Sequence, residues 1–177
     1  DYRTIGKKSG MPRRSQRQTA ALDIIYTDAL NGLFATAYGS WWRHKENVTS
    51  STFYEGDLMI NSVIPVSNIS QGLTARSRIS KRLESISTTI SANVGWNRAW
   101  YEYMRQNVMV PTIYDQVAAG MEINSRLGKR VTFVYEGNYI HSASRINDDV
   151  MNPIDGMNQN ADFSVTFDKG FVLKIGV

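Results

Sequence analysis

The 177-residue sequence has no cysteine, only two histidines and no apolar run of about 18 residues. Without cysteine, neither disulfides nor thiolate metal sites can form. Without a long apolar run, no transmembrane helix is predicted. His44 and His141 each lack a second histidine nearby in sequence, and no phosphate-binding glycine loop is present. We therefore expect no catalytic residue, no metal site and no cofactor, and we do not expect an enzyme.

Charge is also scarce, and it is not concentrated on one segment. Charged residues make up 20% of the chain and hydrophobic residues 42%, which indicates a folded domain rather than a disordered one. The net charge is +4, and the densest basic run spans residues 7–17. No comparable basic stripe follows, and no RNA-binding aromatic motif is present, so nucleic acid is not an expected partner.

The segment "ISTTISANVGWNRAW", residues 86–100, alternates strictly between two kinds of side chain. Ile86, Ile90 and Val94 stand in one phase with other mainly apolar residues, whereas Ser, Thr, Asn and Gly fill the other phase up to Arg98. A period of two predicts a β-strand with two faces. Lys and Glu, which are typical of the wet face of a soluble sandwich, are missing. The segment is also long, at roughly 50 Å if each residue rises about 3.3 Å.

Similar alternation recurs along the chain and predicts about eight long strands. It is clear at 71–80, 116–126, 131–139 and 160–168 and weaker at 19–26, while the phase of 33–42 is ambiguous. Short turns are predicted at 27–32, 81–85, 127–130 and 168–170, and longer links follow His44, Met104 and Ile146. We therefore predict one continuous antiparallel meander, with short turns at one end and long loops at the other.

Aromatic residues gather near the strand ends that lead into the long loops. Such a distribution resembles the aromatic girdles of transmembrane barrels. With long strands and a charge-poor second face, it predicts a transmembrane β-barrel in which the Ile86 face meets lipid and the Ser87 face meets the lumen. The alternative is a large soluble sandwich or β-rich binding module with core aromatics. The predicted interface residues are Trp41, Trp42, Trp96, Trp100, Tyr101 and Tyr103.

Charged residues in the polar phase are the candidate functional side chains. They either contact a plug or a passing substrate, or they form a solvated wall with charge pairs between neighbouring strands. These lumen-facing candidates are Arg76, Arg78, Glu122, Arg126, Glu136, Asp162 and Lys174.

Several strand-and-turn motifs resemble a known family. A Tyr, a short turn and Gly-Leu-Phe occur at Tyr26 and 32–34, "RISK" ends a strand at 78–81, and a late "DKG" turn follows at 168–170. From about Arg17 onward, the chain resembles the C-terminal barrel region of Bacteroidota-type TonB-dependent receptors. More narrowly, it resembles their outer-membrane β-barrel family.

The resemblance implies part of a closed barrel of about 22 strands in the bacterial outer membrane. It also implies import of a nutrient or other ligand. Expected partners are outer-membrane lipid, the remaining strands and plug, the TonB system, and a surface lipoprotein or larger complex. An alternative is a structural, assembly or secretion barrel subunit without transport of its own.

The domain organisation departs from that family. Residues 1–16 are predicted as a lead-in and 17–177 as a partial barrel, and neither a plug nor a TonB-contacting motif is visible. The terminal "FVLKIGV" is predicted to lie within a strand. We therefore predict a piece of a longer polypeptide whose edge strands, near 20–26 and 171–177, pair with further strands.

Overall fold

The computed structural model describes residues 3–7, 13–128, 130–147, 149–167 and 171–176. The strands are β1 Arg3–Lys7, β2 Ser15–Asp28, β3 Leu33–Glu46, β4 Thr49–Glu55, β5 Leu58–Ile64, β6 Asn68–Leu83, β7 Thr88–Arg105, β8 Val108–Leu127, β9 Val131–Ile146, β10 Asp149–Val150, β11 Ile154–Thr166 and β12 Val172–Gly176. A single 3-10 turn, Glu84–Ile86, is the only helical element in these ranges. None of the described residues forms a helix with the length and hydrophobicity of a membrane span.

All described strands belong to one sheet, and its body is antiparallel. The long strands follow the order β2-β3-β6-β7-β8-β9-β11, with β12 beside β11. They run from 13 residues in β11 to 20 in β8. The prediction of an all-β fold with long antiparallel strands in a meander-like sheet is therefore confirmed.

The long link predicted after His44 forms a hairpin instead. It consists of β4 and β5, which pair with each other, while β1 runs parallel to β5. Because this hairpin is inserted between β3 and β6, strand β3 pairs with β2 and β6 rather than with β4, the next strand in sequence. The hairpin is held at the end of β7, where the backbone N–H of Gln106 donates to the carbonyl oxygen of Thr52 at 3.1 Å.

The link predicted after Met104 was wrong, because the structure has a two-residue turn there. Strand β7 ends at Arg105 and β8 begins at Val108. The intervening Gln106 and Asn107 have φ of 51° and 61°, the left-handed values of a type I′ hairpin turn. The alternation of short turns with long loops therefore fails at this position.

The turns at the opposite end of the sheet match the predictions more closely. Residues 29–32 connect β2 to β3 near the predicted 27–32, and the described residues Gly128 and Arg130 lie between β8 and β9 within the predicted 127–130. The turn predicted at 81–85 lies instead at 84–87, so Ile86 is in the 3-10 turn and not in β7. The predicted turn at 168–170 and the final residue 177 lie outside the described residues, as do 1–2 and 8–12 of the predicted lead-in. We call this end of the sheet the turn end and the other the loop end.

Strand pairing divides the side chains between two faces. We call the face that carries Ile90 and Val94 of β7 the apolar face, and the face that carries Ser91 and Asn93 the polar face. Residues paired across an antiparallel ladder share a face, so the register extends these labels to every long strand. The ambiguous phase of β3 is thereby resolved, with Leu33 on the apolar face.

The apolar face is not covered by a second layer within the described residues. Val48 and Val110 are the only buried hydrophobic residues among those the structure describes, whereas on the apolar face Leu22 is 65% exposed, Val94 51% and Met121 44%. A soluble sheet buries its apolar face against another layer. In this structure the buried side chains are mostly small and polar, such as Thr88 and Ser125, whose hydroxyls lie 2.8 Å apart.

Candidate functional site: two faces of the sheet

The apolar face forms a nearly continuous band across the long strands. From Leu33 to Trp41 it extends over nine residues of β3, every second one of which lies on this face, and this length is comparable to the roughly 9–11 residues a tilted strand needs to cross a bilayer core. Ser77 and Gln159 are polar exceptions within the band. Residues paired from strand to strand form rows across the sheet. From β2 to β11, one such row on this face consists of Tyr26, Ala35, Ile79, Ala92, Met121, Gly137 and Gln159. The next row consists of Ile24, Ala37, Ser77, Val94, Ala119, Tyr139 and Met157.

Charged groups mark both limits of this band. Near the loop end, Arg98 Nε lies 3.5 Å from Asp115 Oδ1, and the Arg98 guanidinium lies 5.2 Å from the Trp100 ring centre. On β9, His141 Nδ1 lies 2.8 Å from Asp155 Oδ1. Near the turn end, the Lys81 ammonium bends towards the turn and donates to the carbonyl oxygen of Asn31. Charges are thus kept at the margins of the band, where polar tips reach water.

The six predicted interface aromatics are divided between the two faces. Trp41, Trp96 and Trp100 lie on the apolar face near its loop-end limit. Trp42, Tyr101 and Tyr103 lie on the polar face, because adjacent residues of a strand point in opposite directions. These last three therefore do not share a face with the first three, and the assignment of all six to a membrane interface stays a prediction.

Trp42 instead covers a glycine on the polar face. A Cβ atom at Gly72, its partner on β6, would lie only 2.7 Å from the indole ring. The glycine therefore provides the space in which the ring lies against the sheet.

All seven predicted lumen-facing residues lie on the polar face by register, but within the described part of the chain only two of them form an ion pair. Arg78 Nη2 bonds Glu122 Oε2 at 3.0 Å, bridging β6 to β8 across β7. Glu136 lies directly opposite Glu122, so Arg78 also offsets repulsion between like charges. The remaining predicted residues are dispersed along the face, and these are Arg76, Arg126, Asp162 and Lys174.

An open groove of about 330 Å³ lies on the polar face around the two arginines. Its floor is low because Gly95 and Ala118 stand side by side in the register. Hydrogen-bonding side chains surround this floor, and the sequence analysis missed four of them, since a neutral amide or phenol carries no motif. The lining residues with phenol, guanidinium or amide groups are Tyr38, Arg76, Arg78, Asn93, Asn97 and Gln116.

The side chains that line this groove can form hydrogen bonds and ion pairs with a ligand. Guanidinium and amide groups donate hydrogen bonds, and amide and phenol oxygens accept them. Among the described residues, no group of three or more His, Asp or Glu is placed to hold a metal ion. The groove therefore suits a polar or anionic ligand, or a polar segment of polypeptide.

The turn end contains one carboxyl group with a perturbed pKa. Asp28 accepts hydrogen bonds from the backbone N–H of Asn31 at 3.1 Å and from its side-chain amide at 2.7 Å. The side-chain bond first and then the backbone bond lower the pKa of Asp28 below its usual 3.8. These bonds close the turn between β2 and β3.

No family model matches the sequence, and no curated protein matches it. These comparisons therefore identify no family for the chain.

Proposed function

We propose that this chain forms part of the wall of an outer-membrane β-barrel transporter of the TonB-dependent type, which imports a nutrient or another ligand. The observation that carries the proposal is the contrast between the two faces. An exposed apolar band spans seven long strands, and the opposite face carries arginines, carboxylates and amides. A bilayer on one side and a hydrated lumen on the other satisfy both faces.

A large barrel suits the polar face better than a small one. Eight strands closed alone enclose an interior that side chains fill. Arg76, Glu122 and Asp162 would then be forced into a dry core at a high desolvation cost. In a wide barrel these groups stay hydrated or contact a plug, and the groove between Tyr38 and Gln116 faces that space.

The two outer strands support the same conclusion. Within the described residues, β2 pairs only with β3 and β12 only with β11, so these strands do not pair with each other. An unpaired strand edge in hydrocarbon costs several kcal/mol for each unsatisfied group. Further strands are therefore needed at both edges in a membrane.

A second candidate is a structural, assembly or secretion barrel subunit without transport of its own. The Arg78–Glu122 pair favours it, because a charge that is satisfied within the wall is less available to a plug or substrate. Both candidates require a location in the outer membrane. Only the transporter also requires contact with TonB, which supplies its energy.

Two measurements on the full-length protein test these candidates. Fractionation of cells producing it should recover the protein with the outer membrane, and recovery in the soluble fraction would contradict both. A pull-down with the purified periplasmic domain of TonB from the same cell should retain it. An outer-membrane protein that TonB does not retain would select the structural candidate instead.

A further inference from the structure

Two adjoining hollows lie on the apolar face at its loop-end limit. The first, which we call the apolar groove, has a volume of about 390 Å³ and runs between Trp41 and Trp96. Its floor is formed by small residues of three neighbouring strands, namely Ala20, Gly39 and Ala75. Leu22 and Leu73 also line the groove, and the space between the two indole rings above this alanine and glycine floor is wide enough for a hydrocarbon chain.

The second hollow, which we call the basic hollow, has a volume of about 200 Å³ and is lined by Gln16, Gln18, Arg43 and Lys45. It lies next to the apolar groove in the direction of the loop end. On this face, Gln18 is the next residue of β2 beyond Ala20 in that direction, and Arg43 is the next residue of β3 beyond Trp41. Two residues along a strand correspond to about 7 Å.

All four side chains of the basic hollow can donate hydrogen bonds, and no carboxylate lines it. Neither Arg43 nor Lys45 forms an ion pair with any residue that the structure describes. Asp115, on the same face, already pairs with Arg98. Glu102, also on this face, lies on β7, two strands away from Lys45. The hollow is thus a cluster of donors without an internal counter-ion.

We propose that the two hollows together bind one phosphorylated acyl lipid of the surrounding membrane leaflet. The acyl chain lies in the apolar groove, and the phosphate lies in the basic hollow. Arg43 offers a planar fork that matches phosphate oxygens, and Lys45 adds a point charge. The inference rests on the proposed function, because the apolar face must meet lipid for the site to be filled.

The depth of the site favours a lipid over a protein partner. The tryptophans lie at the margin of the apolar band, where aromatic rings meet lipid headgroups. The order from band to margin is hydrocarbon channel, ring and cation, which is also the order of groups in a phospholipid. A protein partner would need a matching apolar ridge that ends in an acidic side chain at this depth.

The test uses the full-length protein in a neutral maltoside detergent, with native mass spectrometry to count bound lipids. The probes are a diphosphorylated lipid A and an uncharged diacylglycerol glycolipid. The wild type should bind one lipid A with at least tenfold preference over the glycolipid. The double variant Arg43→Gln, Lys45→Gln should lose that preference by about tenfold or more, since charge-assisted bonds are lost.

A matched control removes the same charge from the other face. The double variant Arg17→Gln, Arg82→Gln lies on the polar face by register and should keep the wild-type preference. An equal loss in this control would show that the preference follows net charge alone, and would overturn the site.

A second variant tests the hydrocarbon part. A Cβ atom at Gly39 would meet nothing within 4 Å, so Gly39→Leu should fill the groove without strain. It should lower lipid A occupancy, whereas competition with inorganic phosphate should not displace the lipid. Displacement by phosphate, or unchanged occupancy in Gly39→Leu, would mean that the groove holds no acyl chain and would overturn the proposal.

The outcome also separates this inference from the proposed function. If the protein resides in the outer membrane but binds both probes equally, the lipid site is wrong and the transporter proposal stands. If the protein is soluble, the transporter proposal and the lipid site both fall.

Discussion

At the residue scale, the face of the sheet on which a residue lies decides which substitutions it tolerates. Met121 and Asn138 show this well, because Met121 pairs with Gly137, the residue just before Asn138. They stand at the same height on adjacent strands but on opposite faces, and both are exposed.

We predict that Met121→Arg destabilises the protein by about 2–4 kcal/mol in a bilayer, because a cation then enters the middle of the apolar band that we propose to face lipid. Asn138→Arg should have a much smaller effect, since it remains hydrated and lies on the same face as Glu136. Refolding titrations of the full-length variants in lipid vesicles measure both. Equal losses of folded protein would contradict the assignment of the apolar face to lipid.

At the element scale, the hairpins depend on specific turn chemistry. The β2–β3 turn is closed by Asp28 and Asn31, whose hydrogen bonds lower the pKa of the Asp28 carboxyl. Because the folded-state pKa is lower than the unfolded one, the ionised carboxylate stabilises the fold. That contribution is complete above the unfolded value of 3.8 and disappears as the pH falls through the lower folded pKa.

We therefore predict that Asp28→Asn lowers the free energy of unfolding at pH 7 and that the difference from wild type shrinks as the pH falls below 3.8. Urea unfolding of wild type and variant in detergent micelles across this pH range measures the difference. Asp23→Asn, on the polar face of the same strand, is the control for loss of charge. A difference that stays constant with pH would show that the turn does not depend on the ionised carboxylate.

The turn at Gln106 and Asn107 shows why one element boundary escaped prediction. Type I′ turns usually contain Asn-Gly, so the dipeptide Gln-Asn did not indicate a hairpin turn at this position. The Gln106 side chain also bonds the backbone N–H and carbonyl of Tyr54, each at 3.3 Å. Those contacts join positions 52 residues apart, and no local pattern reveals them.

At the scale of the whole molecule, the pairing of the two edge strands decides whether the sheet is part of a larger barrel. We predict that β2 is paired on both sides in the full-length membrane protein. Backbone amides of Ser15–Asp28 that point away from β3 should then exchange with deuterium as slowly as those of β3. Hydrogen exchange with peptide mass spectrometry measures this, and β4, in the loop-end hairpin, provides a comparison strand that should exchange faster. Fast exchange at the outer edge of β2 would contradict the larger barrel.

The sequence alone determined most of the long strands and most of the two faces. Alternation with a period of two is a local property, so residues such as Ile90 and Val94 separate from Ser91 and Asn93 without knowledge of any partner strand. The charged residues of the polar phase, including Arg78 and Glu122, were assigned to one face on the same grounds, and the register places them together.

Only the tertiary structure decided which residues meet. The phase of β3 stayed ambiguous because both phases contain large apolar residues, and pairing with β6 resolved it. Arg78 and Glu122 are 44 residues apart and reach each other only because β6, β7 and β8 are adjacent. The apolar groove and the basic hollow likewise combine side chains of different strands. Register joins such distant positions through backbone hydrogen bonds, which every residue except proline can donate, so their pairing leaves no trace in local composition.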